Sequence, residues 1–120
     1  MLIRVDVGDA RSLHNQIADS VRADIVGGSL TPGDRLPSAR ETAQALNVNV
    51  HTVLRAYQQL RDEGLLELRR ARGAIVTPQA ASLVELSMDV SDLVARAKSL
   101  GISRETLAAL ITGTQEENRS

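Results

Sequence analysis

The sequence has no cysteine, no tryptophan and no phenylalanine, and Tyr57 is its single aromatic residue. Without cysteine there is neither a disulfide nor a thiolate metal site, and the redox compartment is left open. His14 and His51 are the two histidines, too few for an imidazole metal centre, and neither has an acidic partner at a useful spacing. No glycine-rich phosphate loop or metal-ligand cluster appears along the chain. The acidic pair Asp89 and Asp92 is most simply a solvated helix face. Neither an enzyme nor a cofactor is therefore expected. No apolar run approaches the roughly 18 residues of a membrane span, and no basic–apolar–small pattern opens the chain. A cytoplasmic location without a membrane partner is the expectation.

Lysine is also nearly missing. Thirteen of the fourteen basic residues are arginine, which favours bidentate contacts to phosphate or guanine over diffuse attraction. The net charge of −1 looks wrong for a nucleic-acid binder until it is divided along the chain. Residues 35–72 hold seven arginines against four acids, whereas residues 79–120 hold four basic residues against six acids. Phosphates respond to local charge density, so the central stretch is where a polyanion would bind. A length of 120 residues suits one small core and leaves no room for a large sensor domain beside it.

What is present is concentrated between Pro37 and Gly64, PSARETAQALNVNVHTVLRAYQQLRDEG. Ser38 followed by Glu41 is a capping box, the hydroxyl taking the Glu41 amide while the carboxylate reaches back to the Ser38 amide. Ala39 to Leu46 then forms a short helix, and Asn47 tolerates a left-handed stop. Asn49 is a second N-cap, after which Val53, Ala56, Tyr57 and Leu60 recur at helical spacing as a buried stripe. Tyr57 belongs to that stripe, with its hydroxyl at the core edge. Gly64 closes the helix. Two helices joined by about three residues, the second with a polar leading turn, form a helix-turn-helix pattern.

The flanks complete the unit. Leu2, Ile3, Val5 and Val7 open the chain as a short apolar segment. Asp9 to Ser12 lead into a helix whose core stripe is Leu13, Ile17, Val21 and Ile25, ended by Gly27 and Gly28. His14 lies off the stripe, at the surface or partly packed. Thr31-Pro32-Gly33-Asp34 has the type II turn signature, and Arg35-Leu36 is a brief extended piece before Pro37. After Gly64, Leu66 and Leu68 alternate with Glu67 and Arg69 as a half-buried strand, Arg70 to Gly73 make a tip, and Ala74 to Thr77 return to Pro78. A hairpin with an arginine-rich tip directly after a helix-turn-helix is a wing.

From residue 79 the pattern changes. Leu83, Leu86, Val90, Leu93, Ala97 and Leu100 are spaced 3, 4, 3, 4, 3, an a/d seam that buries best against another helix. Gly101 ends that helix and Ser103 caps a last one, with Ile102 stapled onto Leu107 and Leu110 and Ile111 continuing its apolar face. Residues 113–120 read as a frayed end. The expected fold is mainly α with a small β-hairpin: a winged helix-turn-helix over residues 1–78, a two-helix dimerisation region over 79–112, and a flexible tail. Leu83, Leu86, Val90, Leu93, Ala97, Leu100, Leu107, Leu110 and Ile111 are the candidate dimer interface.

The stretch GGSLTPGDRLPSARETAQALNVNVHTVLRAYQQLRDEGLLELRRARGAIV resembles the GntR superfamily winged helix. The pattern is G-x-L-x-P-G-D-x-L-P-S-x-R-x-x-A, then T-V-x-R-A-Y-x-x-L-x-x-x-G, then R-G-x-x-V. The likeness runs from about Leu13 to Thr77, and Asn49, the Arg55-Ala56-Tyr57 triplet and the short tail are similar to the YtrA-like branch. That resemblance implies a bacterial homodimeric repressor on an inverted-repeat operator, often controlling a transporter operon. It places Arg40 on phosphate or a base edge, the turn Asn49, Val50, His51 and Thr52 in the major groove, and Arg72 and Gly73 near the minor groove or backbone. With Ser38, Arg55 and Arg70 these form the candidate DNA-contacting set. The chain departs from the family at Val50, where arginine or proline is common, at His51, where the branch usually has asparagine, and at Leu54, often basic elsewhere.

The physical chemistry of the same residues agrees. His51 and Arg55 share one face of a helix whose positive end points at the duplex, Asn49 and Thr52 offer donors, and Val50 offers an apolar contact to a thymine methyl. The competing roles are Thr52 as a cap and Arg55 in an ion pair with Asp62 or Glu63. Double-stranded DNA and a second copy of the chain are the expected partners, with room for an unidentified small-molecule effector between regions or across a dimer. The alternative is a winged-helix adaptor for proteins, which ordinarily needs an acidic or apolar recognition face.

Overall fold

The computed structural model describes residues 3–6 and 11–114. Five helices and one hairpin follow in order: α1 (Leu13–Val26), α2 (Ala39–Leu46), α3 (Val50–Asp62), β1 (Leu66–Arg69), β2 (Gly73–Val76), α4 (Ala80–Ser99) and α5 (Arg104–Gly113). The chain divides into two compact units between Val84 and Glu85. The first turn of α4, with Ala80 buried and Leu83 half-buried against the core, therefore belongs to the first unit.

In the first unit, α1, α3 and the sheet enclose a core formed by Ile17, Val21, Ile25, Leu36, Val53, Ala56, Leu60, Leu66 and Val76. The helical members come from the expected stripes and Leu66 from the half-buried strand, while Leu36 and Val76 come from pieces expected only to be extended and Leu13, at the head of the α1 stripe, is only half-buried. Ile3 and Val5 pack onto the same core; Leu2, Val7 and Asp9 lie outside the described residues. What fixes the opening segment is Gln16, 4% exposed. Its Oε1 accepts from the Asp6 amide at 2.6 Å, and its Nε2 donates to the carbonyls of Asp6 at 3.1 Å and Arg11 at 3.0 Å. A buried amide needs its donors and acceptors satisfied; the two bonds to Asp6 tie 3–6 to α1, and the third holds the Arg11 carbonyl.

The helix ends obey their local chemistry. Ser12 accepts from the Asn15 amide, so the α1 cap lies at the end of the expected lead-in. Asn47 adopts φ 57°, ψ 50°, and the Val48 amide closes α2 on the Ala43 carbonyl at 3.0 Å. Gly33 has φ +93° at the third position of its turn, closed by Asp34 N to Thr31 O at 2.9 Å, as type II geometry requires.

The hairpin is antiparallel, with Leu66 opposite Val76 and Arg69 opposite Gly73. Gly73 is thus a paired strand residue rather than part of the tip. Its φ of +78° is a left-handed geometry that glycine adopts without steric cost, directly after the turn closed by Arg72 N to Arg69 O. Residues 33–36 also join the sheet. Val76 N donates to Asp34 O at 2.8 Å, Leu36 N to Ala74 O at 2.9 Å and Gly33 N to Val76 O at 2.8 Å. β2 is therefore bonded along both edges, and the wing is anchored to the segment that leads into α2.

The second unit has its own small contact. Ala97 of α4 and Leu107 of α5 are buried, with Val94 and Ile102 half-buried around them. Gly101, φ +77°, turns the chain, the Ile102 amide bonds the Ala97 carbonyl at 2.8 Å, and Ser103 caps α5. Leu86, Val90, Leu93, Leu100, Leu110 and Ile111 are exposed, each between 43% and 63%. Of the nine candidate interface residues, Leu83, Ala97 and Leu107 thus pack within their own chain, and six are exposed. Residues 115–120, most of the expected tail, lie outside the described residues.

Candidate nucleic-acid interface

The site is assembled on α2, α3 and the wing, and its framework is Tyr57. Its side chain is 2% exposed. The hydroxyl donates to the Pro37 carbonyl at 2.8 Å and, with its own proton so committed, accepts from Thr42 Oγ1 at 3.0 Å. This chain of bonds locks the start of α2 against α3. Burial raises the phenol above its ordinary value of 10.0, against a smaller opposing effect of the Thr42 hydrogen bond. At the head of α2, Ser38 Oγ accepts from the Glu41 amide at 3.0 Å and Glu41 Oε1 accepts from the Ser38 amide at 3.0 Å. The bond from the Ser38 amide to the carboxylate, with a smaller contribution from the Ser38 side chain, lowers the Glu41 pKa below 4.5. Arg40, in the same turn, is exposed.

Helix α3 begins at Asn49, whose Oδ1 accepts from the His51 amide at 2.7 Å. Asn49 is therefore the cap, and its side-chain amide N–H groups stay free to donate outward. Thr52 is half-buried and its backbone amide bonds the Asn49 carbonyl at 3.0 Å, so it needs no side-chain cap of its own. Val50 is half-buried against the core. The exposed face of α3 is His51, Leu54, Arg55 and Gln58, spaced i, i+3, i+4, i+7 opposite the buried stripe. Leu54 is the member that charge counting passes over; helical spacing from His51 finds it.

Arginines separate into two groups. Arg61 pairs with Asp62, Arg69 with Glu67, and Arg22 of α1 with Glu63 at the C-cap of α3, the last raising the Arg22 pKa chiefly through that hydrogen bond. Arg35, Arg40, Arg55, Arg70 and Arg72 make no ion pair among the described residues. The competing role for Arg55 is thereby removed, because Glu63 is held by Arg22 and Asp62 by Arg61. Arg55 borders a shallow groove of about 510 Å³ that His14, Asn15 and Gln58 also line, with Asp62 and Glu63 on the same groove but paired to the other arginines. A second hollow, about 240 Å³, brings together Ser38, Leu54, Arg70 and Gly73 over a floor that includes Leu68. The wing base, the α2 cap and the middle of α3 thus share one surface. Arg72 sits on the hairpin turn, its amide bonding the Arg69 carbonyl at 3.2 Å.

Residues 13–76 match the family described as bacterial regulatory proteins, gntR family. The HTH-type transcriptional repressor YtrA of Bacillus subtilis is 32% identical over 112 residues, covering 88% of this chain and 86% of that protein. The chain belongs to the GntR family of transcriptional regulators. Within it the likeness is to the YtrA type: the solved structure of YtrA from Sulfolobus acidocaldarius, a GntR-family transcription factor, superposes with TM-score 0.62 at 35% identity, over 82% of this chain and 99% of that one. The DNA-binding domain of AraR, solved in complex with operator ORR3, matches 64% of this chain and 95% of its own at 25% identity and TM-score 0.52. This GntR regulator therefore has the winged-helix architecture expected of it. Among the described residues, no helix is long and apolar enough to cross a membrane.

Proposed function

We propose that this GntR regulator is a cytoplasmic repressor that grips an inverted-repeat operator as a homodimer, one α3 tip in each of two major grooves about 34 Å apart. The observation that carries the reading is the sorting of arginines. Of the seven arginines of residues 35–72, five have no carboxylate partner among the described residues: Arg40 on α2, Arg55 on α3, Arg70 and Arg72 on the hairpin turn, and Arg35 beside β2, while the four acids of that stretch are each engaged. Arg40 and Arg72 hold phosphates on either side, and His51, Arg55 and the free donors of Asn49 face base edges. Ser38, Arg70 and Gly73 stand close to the backbone. Pairing is through the second unit, where Leu86, Val90, Leu93, Leu100, Leu110 and Ile111 are large apolar side chains left exposed. By resemblance to the YtrA-like branch, the regulated genes are expected to include a transporter operon.

The test is footprinting of genomic fragments selected by the purified chain, with affinity measured across salt concentrations. An inverted repeat with a steep salt dependence is expected. Arg40→Ala should weaken every sequence about equally and reduce the log–log salt slope by about 1. A monomer, or binding that ignores salt, would contradict the proposal.

A further inference from the structure

Leu54 is an exposed leucine, 36% accessible, in the middle of the α3 face that also carries His51, Arg55 and Gln58. Single exposed apolar residues are ordinary on protein surfaces, so exposure alone means little. Its setting is what matters. Leu54 forms one wall of the 240 Å³ hollow, with Ala39 and Leu68 as further apolar lining and Arg69 and Arg70 at the rim. An apolar recess bordered by arginines, on a surface whose unpaired charge is positive, suits a partner that is anionic overall but presents an apolar group. Leucine has no donor and gains nothing from phosphate. Within the major groove the apolar group on offer is the C5-methyl of thymine. Val50, the other apolar residue near the helix tip, is half-buried against its own core.

We propose that Leu54 is a specificity-determining residue: it packs on a thymine methyl and makes thymine the preferred base at one position of each half-site. The inference rests on the DNA-binding reading above. Burying one methyl corresponds to about a fourfold change in affinity, and a leucine cannot supply the bidentate guanine contact that a basic residue would supply there.

The experiment uses the full chain and the tightest duplex recovered from a randomised pool, with dissociation constants read by fluorescence anisotropy at fixed salt. Each thymine of one half-site is replaced in turn by deoxyuridine, which removes only the methyl. One position is expected to lose about fourfold with the wild-type chain and to show no methyl dependence with Leu54→Ala. Circular dichroism and thermal melting establish that the exposed substitution leaves the fold intact, and Leu54→Met, which keeps an apolar side chain, should retain the methyl dependence. A tight, salt-sensitive duplex with no thymine whose methyl effect vanishes in Leu54→Ala would overturn this inference and leave the DNA-binding reading standing. Recovery of no preferred duplex at all would remove both.

Discussion

Replacing Tyr57 by phenylalanine removes one oxygen and tests whether the recognition helix is held by that oxygen. The hydroxyl donates to Pro37 O and accepts from Thr42 Oγ1. Two neutral hydrogen bonds contribute about 1 kcal/mol each. The Pro37 carbonyl lies at the edge of the core, where water can replace the lost donor, so that share is discounted. Thr42, 4% exposed, is left with a stranded hydroxyl. Tyr57→Phe should therefore cost about 1.5–2 kcal/mol, a fall in melting temperature of roughly 6 °C for a chain of this size. Thr42→Val alone should cost about 1 kcal/mol. The double variant should cost about 2 kcal/mol rather than the sum, because the second substitution removes the group that the first stranded. Urea denaturation at one fixed protomer concentration is the assay, since dimerisation would make stability depend on concentration. Alkaline pH adds a second readout. Burial raises the Tyr57 phenol above 10.0, so the stability linked to it is fully present below pH 10 and is lost as pH rises through the folded value. The Tyr57→Phe chain should have the flatter alkaline limb. A cost under about 0.5 kcal/mol, or strict additivity in the cycle, would refute the argument and place the hydroxyl in solvent.

Two further predictions concern the ends of the helices. Gln16→Ala removes three hydrogen bonds to residues 6 and 11 and should cost about 1–2 kcal/mol, with amide exchange at Asp6 accelerating ahead of global unfolding. Glu41→Ala breaks the α2 capping box. Because the Glu41 pKa is lowered below 4.5, the wild-type advantage in melting temperature should be full above that pH and shrink as pH falls through the folded value; a gap that stays constant on acidification would count against the carboxylate's part in the cap.

Legibility in the sequence followed the range of the interaction. The Ser38–Glu41 box, the left-handed Asn47, the Asn49 cap and the type II turn at Gly33 all depend on residues within four positions of one another. Each could therefore be named from spacing and side-chain chemistry. The buried stripes were equally plain, because helical periodicity reports which face meets a core without saying what lies across it. Longer reach defeated the reading. Nothing near Gln16 in the sequence announces that its amide will brace a segment ten residues earlier. The pairing of Arg35 with Ile75 across the outer edge of β2 is likewise invisible to local rules. The candidate dimer interface treats nine positions as equivalent, yet Ala97 and Leu107 are buried in the second unit, where they line one hollow, and Leu83 packs on the first. A heptad pattern records apolarity and cannot tell an intrachain contact from an interchain one.

Charge is where sequence and structure combine to most effect. Counting alone gives residues 35–72 seven arginines against four acids, a modest excess for a DNA-binding surface. A close ion pair, however, behaves at a distance as a dipole, whose field dies away faster than that of a lone charge and is screened within about 8 Å at physiological salt. Asp62 and Glu67 are paired with arginines of the same stretch, Glu63 with Arg22 of α1, and Glu41 is turned back onto the Ser38 amide. The field that reaches an approaching phosphate is then set mainly by Arg35, Arg40, Arg55, Arg70 and Arg72, reinforced by the positive end of α3. A chain of net charge −1 can therefore present a cationic face, because the four acids of residues 35–72 are engaged in ion pairs or a helix cap while Arg40 on α2, Arg55 on α3 and Arg70 and Arg72 on the hairpin turn are left without a carboxylate partner among the described residues. The same sorting explains why Leu54 stands out: on a surface where polar side chains are available for phosphate, an apolar residue adds discrimination between bases and little general affinity.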